Sequence, residues 1–336
     1  MEGLRTKEVV IMDYRVEKIK ETDEFKEAKE FIDTKIEKKQ FIELIERTSI
    51  VAWNEQIKER KINEWLTNFT GECFDDVELE QKLALWLLLN FTFYTINDVK
   101  KLCVELFEQF LSEELKHMEF EEEMDRNDKI KKIMDDVCFV PLGNPSESGA
   151  RISYDFRTVN GLGRKLFEGE KKKYRCLVLI DDVTISGSQA DEYLKKCEIE
   201  ADTVYFLVFM ATPKAINNIK DKNIKLIYSI LLDSRTKCFS RDSFVFQGEQ
   251  EKKIKLLAMI LCVYYGKKIM SIFSDEYMKK YPWGYNCDQQ MLGFYYNTPD
   301  NTMPIFWCDE NWKSIFLRYN KIYGKGKVEF DDEQYI

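Results

Sequence analysis

Two adjacent carboxylates followed by a small polar glycine loop are the residues in this chain whose types and spacing best suit chemistry. Asp181 and Asp182 follow the apolar run Leu177–Ile180, and the segment Ile185–Gln189 reads Ile-Ser-Gly-Ser-Gln. An apolar run bounded by acids predicts a buried parallel strand, and the pattern from Ala190 onward predicts a helix. We therefore expect a strand, a tight loop and a helix start in direct succession.

Such a succession suits a 5′-phosphate on a sugar. Backbone N–H groups at a helix N-terminus lack partners within the helix, and the helix dipole adds roughly half a positive charge there. Glycine lets the backbone approach a ligand closely, and serine hydroxyls add donors. The predicted phosphate-binding residues are Thr184, Ser186, Gly187, Ser188 and Gln189. The predicted catalytic residues are Asp181 and Asp182, which can accept hydrogen bonds from the 2- and 3-hydroxyls of the sugar. A buried strand followed by a serine that caps a helix would explain the same pattern without a ligand.

The arrangement resembles the signature of the type I phosphoribosyltransferases, in which hydrophobic residues precede an acidic pair and a Thr-Gly-rich turn. Where those enzymes carry Thr-Thr-Gly followed by a small residue and Thr, this chain departs at Ile185 and Gln189. Serine keeps the hydroxyl and the backbone donors do not depend on side chain, so the departures affect catalysis more than phosphate binding. The resemblance implies Mg²⁺ bridging oxygens of the ligand rather than a metal site made by the protein alone.

A second polar loop follows the predicted strand Val137–Pro141. In phosphoribosyltransferases the loop in this position holds the pyrophosphate of phosphoribosyl pyrophosphate. Backbone donors, a hydroxyl and the fork of an arginine suit that anion, because arginine makes paired contacts that lysine cannot. The predicted pyrophosphate-binding residues are Gly143, Ser148, Gly149 and Arg151. An ordinary surface turn is the alternative explanation.

A basic, glycine-flanked stretch lies between the two loops, where the resembled family often has a mobile lid. Arg164, Lys165 and Lys171–Lys173 could supply cations that close over the pyrophosphate, or they could form a solvated charged segment. The segment is short, so we expect the strand that the family normally has there to be reduced or missing.

The elements that must position these loops divide the chain in two. Residues 1–134 are poor in Gly and Pro and show apolar residues at helical spacing, which predicts an all-helical domain with Asp76 and Asn97 as helix caps. Residues 135–336 alternate predicted strands and helices, including strands at Thr203–Met210 and Ile224–Leu232. This pattern favours an α/β domain with a parallel, doubly wound sheet. The resemblance implies that this domain has the type I phosphoribosyltransferase fold.

Composition excludes several classes of function. The chain has 336 residues, with 51 basic and 60 acidic side chains and a net charge of −9, which disfavours a protein that coats nucleic acid. Its nine cysteines are scattered without a C-x-x-C pair, which is typical of reduced thiols and predicts a cytoplasmic location. A single histidine argues against a histidine-based zinc site, and no apolar run approaches the roughly 18 residues of a membrane span.

One segment near the C-terminal end of the sequence points to a more specific family. It is Asn297–Trp307, which reads Asn-Thr-Pro-Asp-Asn-Thr-Met-Pro-Ile-Phe-Trp. Together with the helical region around Trp65–Phe69 and the acidic loop, it is similar to the phosphoribosyltransferase-like effector family of prokaryotic conflict systems. That family is encoded beside anti-phage genes, including those of some retrons. The resemblance covers about residues 60 to 320 and implies a partner encoded nearby. A closed turn at Asn297 and Asn301, with Trp307 packed in the core, would explain the segment structurally.

These observations predict an effector that binds a 5′-phosphoribosyl ligand, either phosphoribosyl pyrophosphate or a nucleotide. A pentosyl transferase is the first interpretation, and cleavage of an N-glycosidic bond is related chemistry that stays open. The departures at Ile185 and Gln189 and the short lid segment favour an alternative, a sensor that binds the ligand without turnover. A third possibility is an interaction module that uses the helical half as its partner surface.

Overall fold

The computed structural model describes residues 19–143, 148–271 and 281–318. The first half of the described chain is helical, with one short strand, β1 (Thr92–Tyr94), between the fourth and fifth helices. The helices are α1 (Asp23–Lys35), α2 (Lys38–Ala52), α3 (Glu59–Leu66), α4 (Val77–Leu89), α5 (Ile96–His117) and α6 (Arg126–Met134). No helix in the described ranges is long and apolar enough to cross a membrane.

Side-chain caps explain where two of these helices begin. The Asp76 carboxylate accepts a hydrogen bond from the Leu79 N–H at 3.0 Å, so the predicted cap of α4 is confirmed. The predicted cap Asn97 is wrong, because Thr95 occupies that position and forms a reciprocal capping box with Asp98. A threonine followed three residues later by an acid satisfies two backbone donors at once, which is a stronger signal than a lone asparagine.

A four-stranded parallel sheet forms the second half, with strands in the order of the chain. Its strands are β2 (Val137–Pro141), β3 (Lys173–Thr184), β4 (Glu200–Ala211) and β5 (Ile224–Leu231). The connecting helices are α7 (Ser148–Val159), α8 (Ser188–Lys196) and α9 (Pro213–Lys220). The predicted mixed α/β fold, with N-terminal helices followed by a parallel sheet, is confirmed.

The two faces of the sheet carry different helices. Ile152 and Phe156 of α7 share a core with α5 and one face, whereas Ala190 of α8 and Ile219 of α9 share a core with the other. When parallel strands lie side by side in sequence order and all their crossover connections have the same handedness, the connecting helices lie on one face of the sheet. The β2–β3 connection therefore has the opposite hand to the next two.

The missing strand explains this change of face. Residues 160–172 contain a single 3₁₀ turn, Arg164–Phe167, and no strand, as expected from the short segment. In a doubly wound sheet a strand beyond β2 would reverse the order here, and ligands bind at the carboxyl ends of the strands flanking such a point. The loops after β2 and β3 flank this point.

The C-terminal part of the described chain returns to the helical half. α10 (Glu249–Met270), β6 (Leu292–Phe294) and α11 (Pro304–Trp307) are its regular elements, and β6 pairs with β1 in parallel. One hydrophobic core combines residues between 25 and 93 with residues between 238 and 316. Helix α5 instead packs on the sheet. The domain boundary at residue 134 stays a prediction. The core of the helical half and the core between α5 and the sheet each include residues from either side of it, whereas the core under α8 and α9 does not.

Candidate functional site

The acidic pair lies at the carboxyl end of β3 and is buried. Asp181 is 5% exposed and Asp182 is 7% exposed. Each carboxylate accepts a hydrogen bond from the next backbone N–H, from Asp182 to Asp181 Oδ1 at 3.0 Å and from Val183 to Asp182 Oδ1 at 2.8 Å. Because side chains alternate along a strand, the two carboxylates leave β3 toward opposite faces of the sheet. These contacts hold two oxygen-rich groups at the sheet edge where the ligand crevice is expected.

The loop after the acidic pair is fixed by the neighbouring strand. Thr212, which follows β4, donates from Oγ1 to the carbonyl of Ile185 at 2.6 Å and from its N–H to the carbonyl of Thr184 at 3.1 Å. Thr184 Oγ1 in turn accepts the Gly187 N–H at 3.2 Å, and Asn218 donates to the Ser186 carbonyl at 3.0 Å. Since both backbone carbonyls and side chains hold the loop, its shape does not depend on a ligand.

Gly187 cannot be replaced without moving this loop. Its φ is +72°, a left-handed conformation that favours glycine. A Cβ atom there would lie 2.6 Å from Ile219 Cγ1 of α9, which is closer than real contacts allow. The glycine therefore meets two requirements at once, a turn and a close approach between the loop and α9.

Gly187 also occupies the N-cap position of α8, where it has no side chain to accept a hydrogen bond from the helix. The N-cap residue of α8 thus contributes no side-chain hydrogen bond, although the Ser188 N–H donates to Ser186 Oγ at 3.3 Å, and Ser188 and Gln189 at the helix start are exposed. The hydroxyls of Ser186 and Ser188 are 2.8 Å apart beside it. A helix start with backbone donors, two hydroxyls and no capping carboxylate or amide is suited to an anion.

The loop after β2 is described in part. Gly143 has a φ of +89°, residues 144–147 lie outside the described residues, and Ser148 begins α7. A Cβ atom on Gly149 would lie 2.1 Å from the Leu142 carbonyl oxygen, so this glycine allows α7 to start directly against the end of β2. The predicted pyrophosphate loop therefore lies at the same edge of the sheet as the acidic pair.

Arg151 belongs to a polar cluster on α7. Its Nε donates to the Tyr295 hydroxyl at 2.9 Å, and it lies 3.6 Å from Asp155 Oδ2, one helical turn away. Asp155 is 2% exposed and accepts a hydrogen bond from the Tyr295 hydroxyl. Burial and the hydrogen bond to Asp155 raise the pKa of Tyr295. Arg151 itself is about half exposed, so its guanidinium is held in place yet accessible.

The C-terminal segment brings two tyrosines to the site. Phe294 and Asn297 exchange backbone hydrogen bonds of 2.8 and 3.1 Å, which places Tyr295 and Tyr296 at the tip of a tight turn. The Tyr296 ring stacks on Phe294, with centroids 5.4 Å apart and planes 8° apart. Burial raises the pKa of Tyr296 well above its ordinary value, and the charges of Asp182 and Asp181 raise it further. Tyr296 therefore lies in the electrostatic field of the acidic pair.

A buried cation completes these surroundings. The Arg318 guanidinium lies 4.9 Å from the centroid of the Trp307 ring, and its side chain is 12% exposed. Desolvation lowers the pKa of Arg318, while the charges of Asp300 and Asp182 oppose that shift. Its Nη2 atom is 3.7 Å from Asp300 Oδ2. A positive charge from the C-terminal segment thus acts on Asp182.

The basic stretch before β3 lies at the wrong end of the sheet for a lid. Lys171 pairs with Asp136 at 2.7 Å and Lys173 pairs with Asp202 at 3.1 Å. Lys173 opens β3 and the acidic pair is near its end, roughly 30 Å away at about 3.3 Å per residue. Lys171 and Lys173 therefore do not lie over the acidic pair, and their exposed carboxylate partners favour the alternative, a solvated charged segment.

Sequence reasoning missed Asp155, Tyr295, Tyr296 and Arg318. One signal was available: Asp155 follows Arg151 by four residues, which places both on one face of a helix. Within the block Asn297–Trp307, Trp307 packs in the core as considered, whereas the side chain of Asn301 binds Asp288 outside the block instead of closing a turn. Asn301 Nδ2 donates to Asp288 Oδ2 at 3.0 Å, and Trp307 is buried and donates to the Thr302 carbonyl at 2.8 Å.

Comparisons with known proteins bear on the family. Among solved structures, the AQ2163 protein from Aquifex aeolicus is similar at 15% identity and a TM-score of 0.28, over 52% of this chain and 83% of that one. A search of curated proteins found no match. The model of the PRTase-CE family matches residues 62–318, well over half of the chain.

The matched region begins in α3 and ends at Arg318. It therefore contains the sheet, both predicted loops and the C-terminal segment that supplies Tyr295, Tyr296 and Arg318. By this match the chain belongs to the PRTase-CE family, which is phosphoribosyltransferase-like.

Proposed function

We propose that this protein binds a 5′-phosphorylated ribose, as phosphoribosyl pyrophosphate or a nucleotide, at the carboxyl end of β3. The observation that carries the proposal is the start of α8, where the N-cap Gly187 has no side chain and the hydroxyls of Ser186 and Ser188 lie beside it, a few residues after a buried acidic pair. The phosphate would accept hydrogen bonds from the loop between Thr184 and Gln189. Asp181 and Asp182 would accept hydrogen bonds from the sugar hydroxyls.

In the transferase reading, the bond between C1 of the sugar and pyrophosphate breaks and its electron pair leaves with the pyrophosphate. The nucleophile donates the pair that forms the new bond to C1. Positive charge develops on the sugar ring, where the negative charge of Asp181 and Asp182 stabilises it. Arg151 could receive the leaving group, since its guanidinium lies at this edge, is anchored and is half exposed.

Magnesium fits this site as an ion shared with the ligand. Asp181 and Asp182 offer carboxylate oxygens, the donors that Mg²⁺ prefers. The described residues include no group of three or more His, Cys, Asp or Glu that could hold a metal ion, so the remaining positions would be filled by ligand oxygens and water. When bound, Mg²⁺ would neutralise charge on the pyrophosphate.

One observation supports a sensor without turnover as the second candidate. The connection between α7 and β3 has no strand, and Lys171 and Lys173 are paired at the far end of the sheet. A site without these cations could still bind the ligand. It would lack the positive charges that stabilise pyrophosphate as it departs. Ligand affinity alone does not separate the two candidates, whereas release of pyrophosphate does.

The binding test is thermal unfolding with phosphoribosyl pyrophosphate and Mg²⁺. At about a hundred times its dissociation constant the ligand adds roughly 2.7 kcal/mol, or on the order of several degrees in a protein of this size. The Asp181→Asn, Asp182→Asn double variant should lose the shift. The control Asp202→Asn, at an exposed acid at the other end of the sheet, should keep it. No shift in the wild type with phosphoribosyl pyrophosphate or nucleotides would refute the proposal.

The biological setting we propose is bacterial anti-phage defence, with a partner encoded nearby. Its support is the resemblance of the sequence to effectors of conflict systems, including some that accompany retrons. The test compares phage plating on cells that carry the gene with its neighbours against cells that carry the double aspartate variant. Protection that needs the aspartates supports the proposal. An Asp182→Asn protein that keeps ligand affinity and protection would favour the sensor.

A further inference from the structure

The hydroxyl of Tyr296 is buried and has no hydrogen-bond partner among the described residues. Buried polar groups in folded proteins almost always have a partner, and an unpaired one destabilises the folded state. The neighbouring residue shows the usual situation, because the Tyr295 hydroxyl contacts both Asp155 and Arg151. The unpaired hydroxyl of Tyr296 therefore needs an explanation.

The position of this hydroxyl is fixed by the ring that carries it. Tyr296 stacks on Phe294 and meets Tyr295 edge-on, with centroids 5.1 Å apart. Phe294 in turn contacts Phe209 of β4 at 6.0 Å. Phe209 lies between the residues of β4 that pair with Asp181 and Val183, so it is the neighbour of Asp182 in the sheet. The packing thus places Tyr296 beside the end of β3, independently of any charge effect.

The protonation state of Tyr296 suits a donor. Burial and the nearby aspartates raise its pKa well above the ordinary value, so the phenol keeps its proton throughout the physiological range. A neutral phenol beside two carboxylates complements them, since the carboxylates can only accept hydrogen bonds when ionised. The site therefore contains acceptors and a donor side by side.

A ribose hydroxyl uses both kinds of partner. Its proton can be donated to a carboxylate, and its oxygen still has lone pairs that accept from a neutral donor. We propose that Tyr296 donates a hydrogen bond to the 2- or 3-hydroxyl of a 5′-phosphorylated ribose whose hydroxyl protons are accepted by Asp181 and Asp182. This inference rests on the proposed function. It adds a sugar-binding residue from the C-terminal segment to the loops that follow β2 and β3.

The test is calorimetric titration of the wild type and Tyr296→Phe with ribose 5-phosphate and with inorganic phosphate. We expect the variant to bind ribose 5-phosphate about 5- to 30-fold more weakly, the equivalent of one hydrogen bond. Inorganic phosphate has no sugar, so both proteins should bind it equally. Tyr264→Phe, a hydroxyl on α10 that faces Glu72 at 3.4 Å, is the matched control and should bind like the wild type.

Thermal unfolding of the free proteins separates a ligand contact from a structural role. Removing an unpaired hydroxyl should leave the Tm of Tyr296→Phe unchanged or slightly higher. A Tm lower by several degrees, or an equal loss of phosphate affinity, would assign the hydroxyl to support of the fold and overturn the inference. Equal affinity of both proteins for ribose 5-phosphate would overturn it as well.

A deoxy sugar locates the contact. If the loss in Tyr296→Phe disappears with 2-deoxyribose 5-phosphate, the 2-hydroxyl is the acceptor; if it persists, the 3-hydroxyl is. Failure of the proposed function looks different, because the wild type would then bind neither ribose 5-phosphate nor phosphoribosyl pyrophosphate. In that case the inference falls together with the function.

Discussion

At the scale of single residues, the two glycines that shape the site act through different constraints. Gly149 has ordinary backbone angles and is needed because Leu142 is so close, whereas Gly187 combines a positive φ with contact to Ile219. Asp155 also has more than one role, since its buried carboxylate orients both Arg151 and Tyr295. Small changes at these positions should therefore have large effects.

Replacement of Gly187 by alanine should lower the free energy of unfolding by about 2–5 kcal/mol. The positive φ contributes about 1–2 kcal/mol and the contact with Ile219 about 1–3 kcal/mol. Urea unfolding measures the change. Gly161→Ala is the matched control, because its φ is +64° while a Cβ atom there meets nothing within 4 Å. If Gly187→Ala lowers the free energy of unfolding no more than Gly161→Ala does, the contact between the new Cβ atom and Ile219 is relieved without loss of stability.

At the scale of elements, a buried ion pair joins helix α5 to the sheet. Glu114 of α5 pairs with Arg175 of β3 at 2.5 Å and accepts a hydrogen bond from the Tyr205 hydroxyl of β4 at 2.7 Å. Glu114 is 2% exposed, so its charge depends on these partners. The network lies at the end of the sheet opposite to the acidic pair. It fixes α5 against the strands without taking part in the site.

Arg175→Met should destabilise the protein by about 3–5 kcal/mol, because it removes the guanidinium that pairs directly with the buried Glu114 carboxylate. The Arg175→Met, Glu114→Met double variant should recover most of this loss, since both charges are then removed together. Urea unfolding of the single and double variants measures the interaction. Equal stability of the two variants would show that the charge of Glu114 is not what Arg175 compensates.

The elements also show which parts of the fold and site could be predicted. The strand, loop and helix around Asp181 were predictable because apolar residues, acids and Gly187 follow one another in the chain. The pairing of β1 with β6 was not, because three-residue strands carry no periodicity to detect. Tyr296 and Arg318 come near the acidic pair through long-range packing on Phe294 and Trp307, and no local pattern specifies such contacts.

At the scale of the whole molecule, the burial of thiols makes the free energy of unfolding depend on pH in the alkaline range. Seven of the described cysteines have a raised pKa, chiefly because burial disfavours the thiolate: Cys73, Cys103, Cys138, Cys176, Cys238, Cys262 and Cys308. Burial raises the pKa of Cys308 from about 9 to about 11. The unfolded chain therefore loses these protons at lower pH than the native protein does.

Stability should fall as pH rises above about 9. Below that pH both states keep the thiol protons, so the thiols add no pH dependence. Between about pH 9 and 11 the unfolded chain ionises first, which costs the native state roughly 2–3 kcal/mol from Cys308 alone. The urea midpoint under reducing conditions, measured from pH 7 to 10.5, checks this. A midpoint that stays constant up to pH 10.5 would contradict the expected loss.

The return of the C-terminal segment to the first helices has a consequence for biosynthesis. A ribosome-bound chain that has emerged as far as β5 already contains the sheet, the acidic pair and the loop that begins α8. It still lacks Tyr295, Tyr296 and Arg318, and the N-terminal helices lack the half of their core that lies between residues 238 and 316. The surroundings of Asp182 are therefore completed only after residues up to 318 have been synthesised, together with the burial of the helices between residues 25 and 93. Nascent chains stalled before residue 290 would carry the acidic pair and the loop after it without Tyr295, Tyr296 and Arg318.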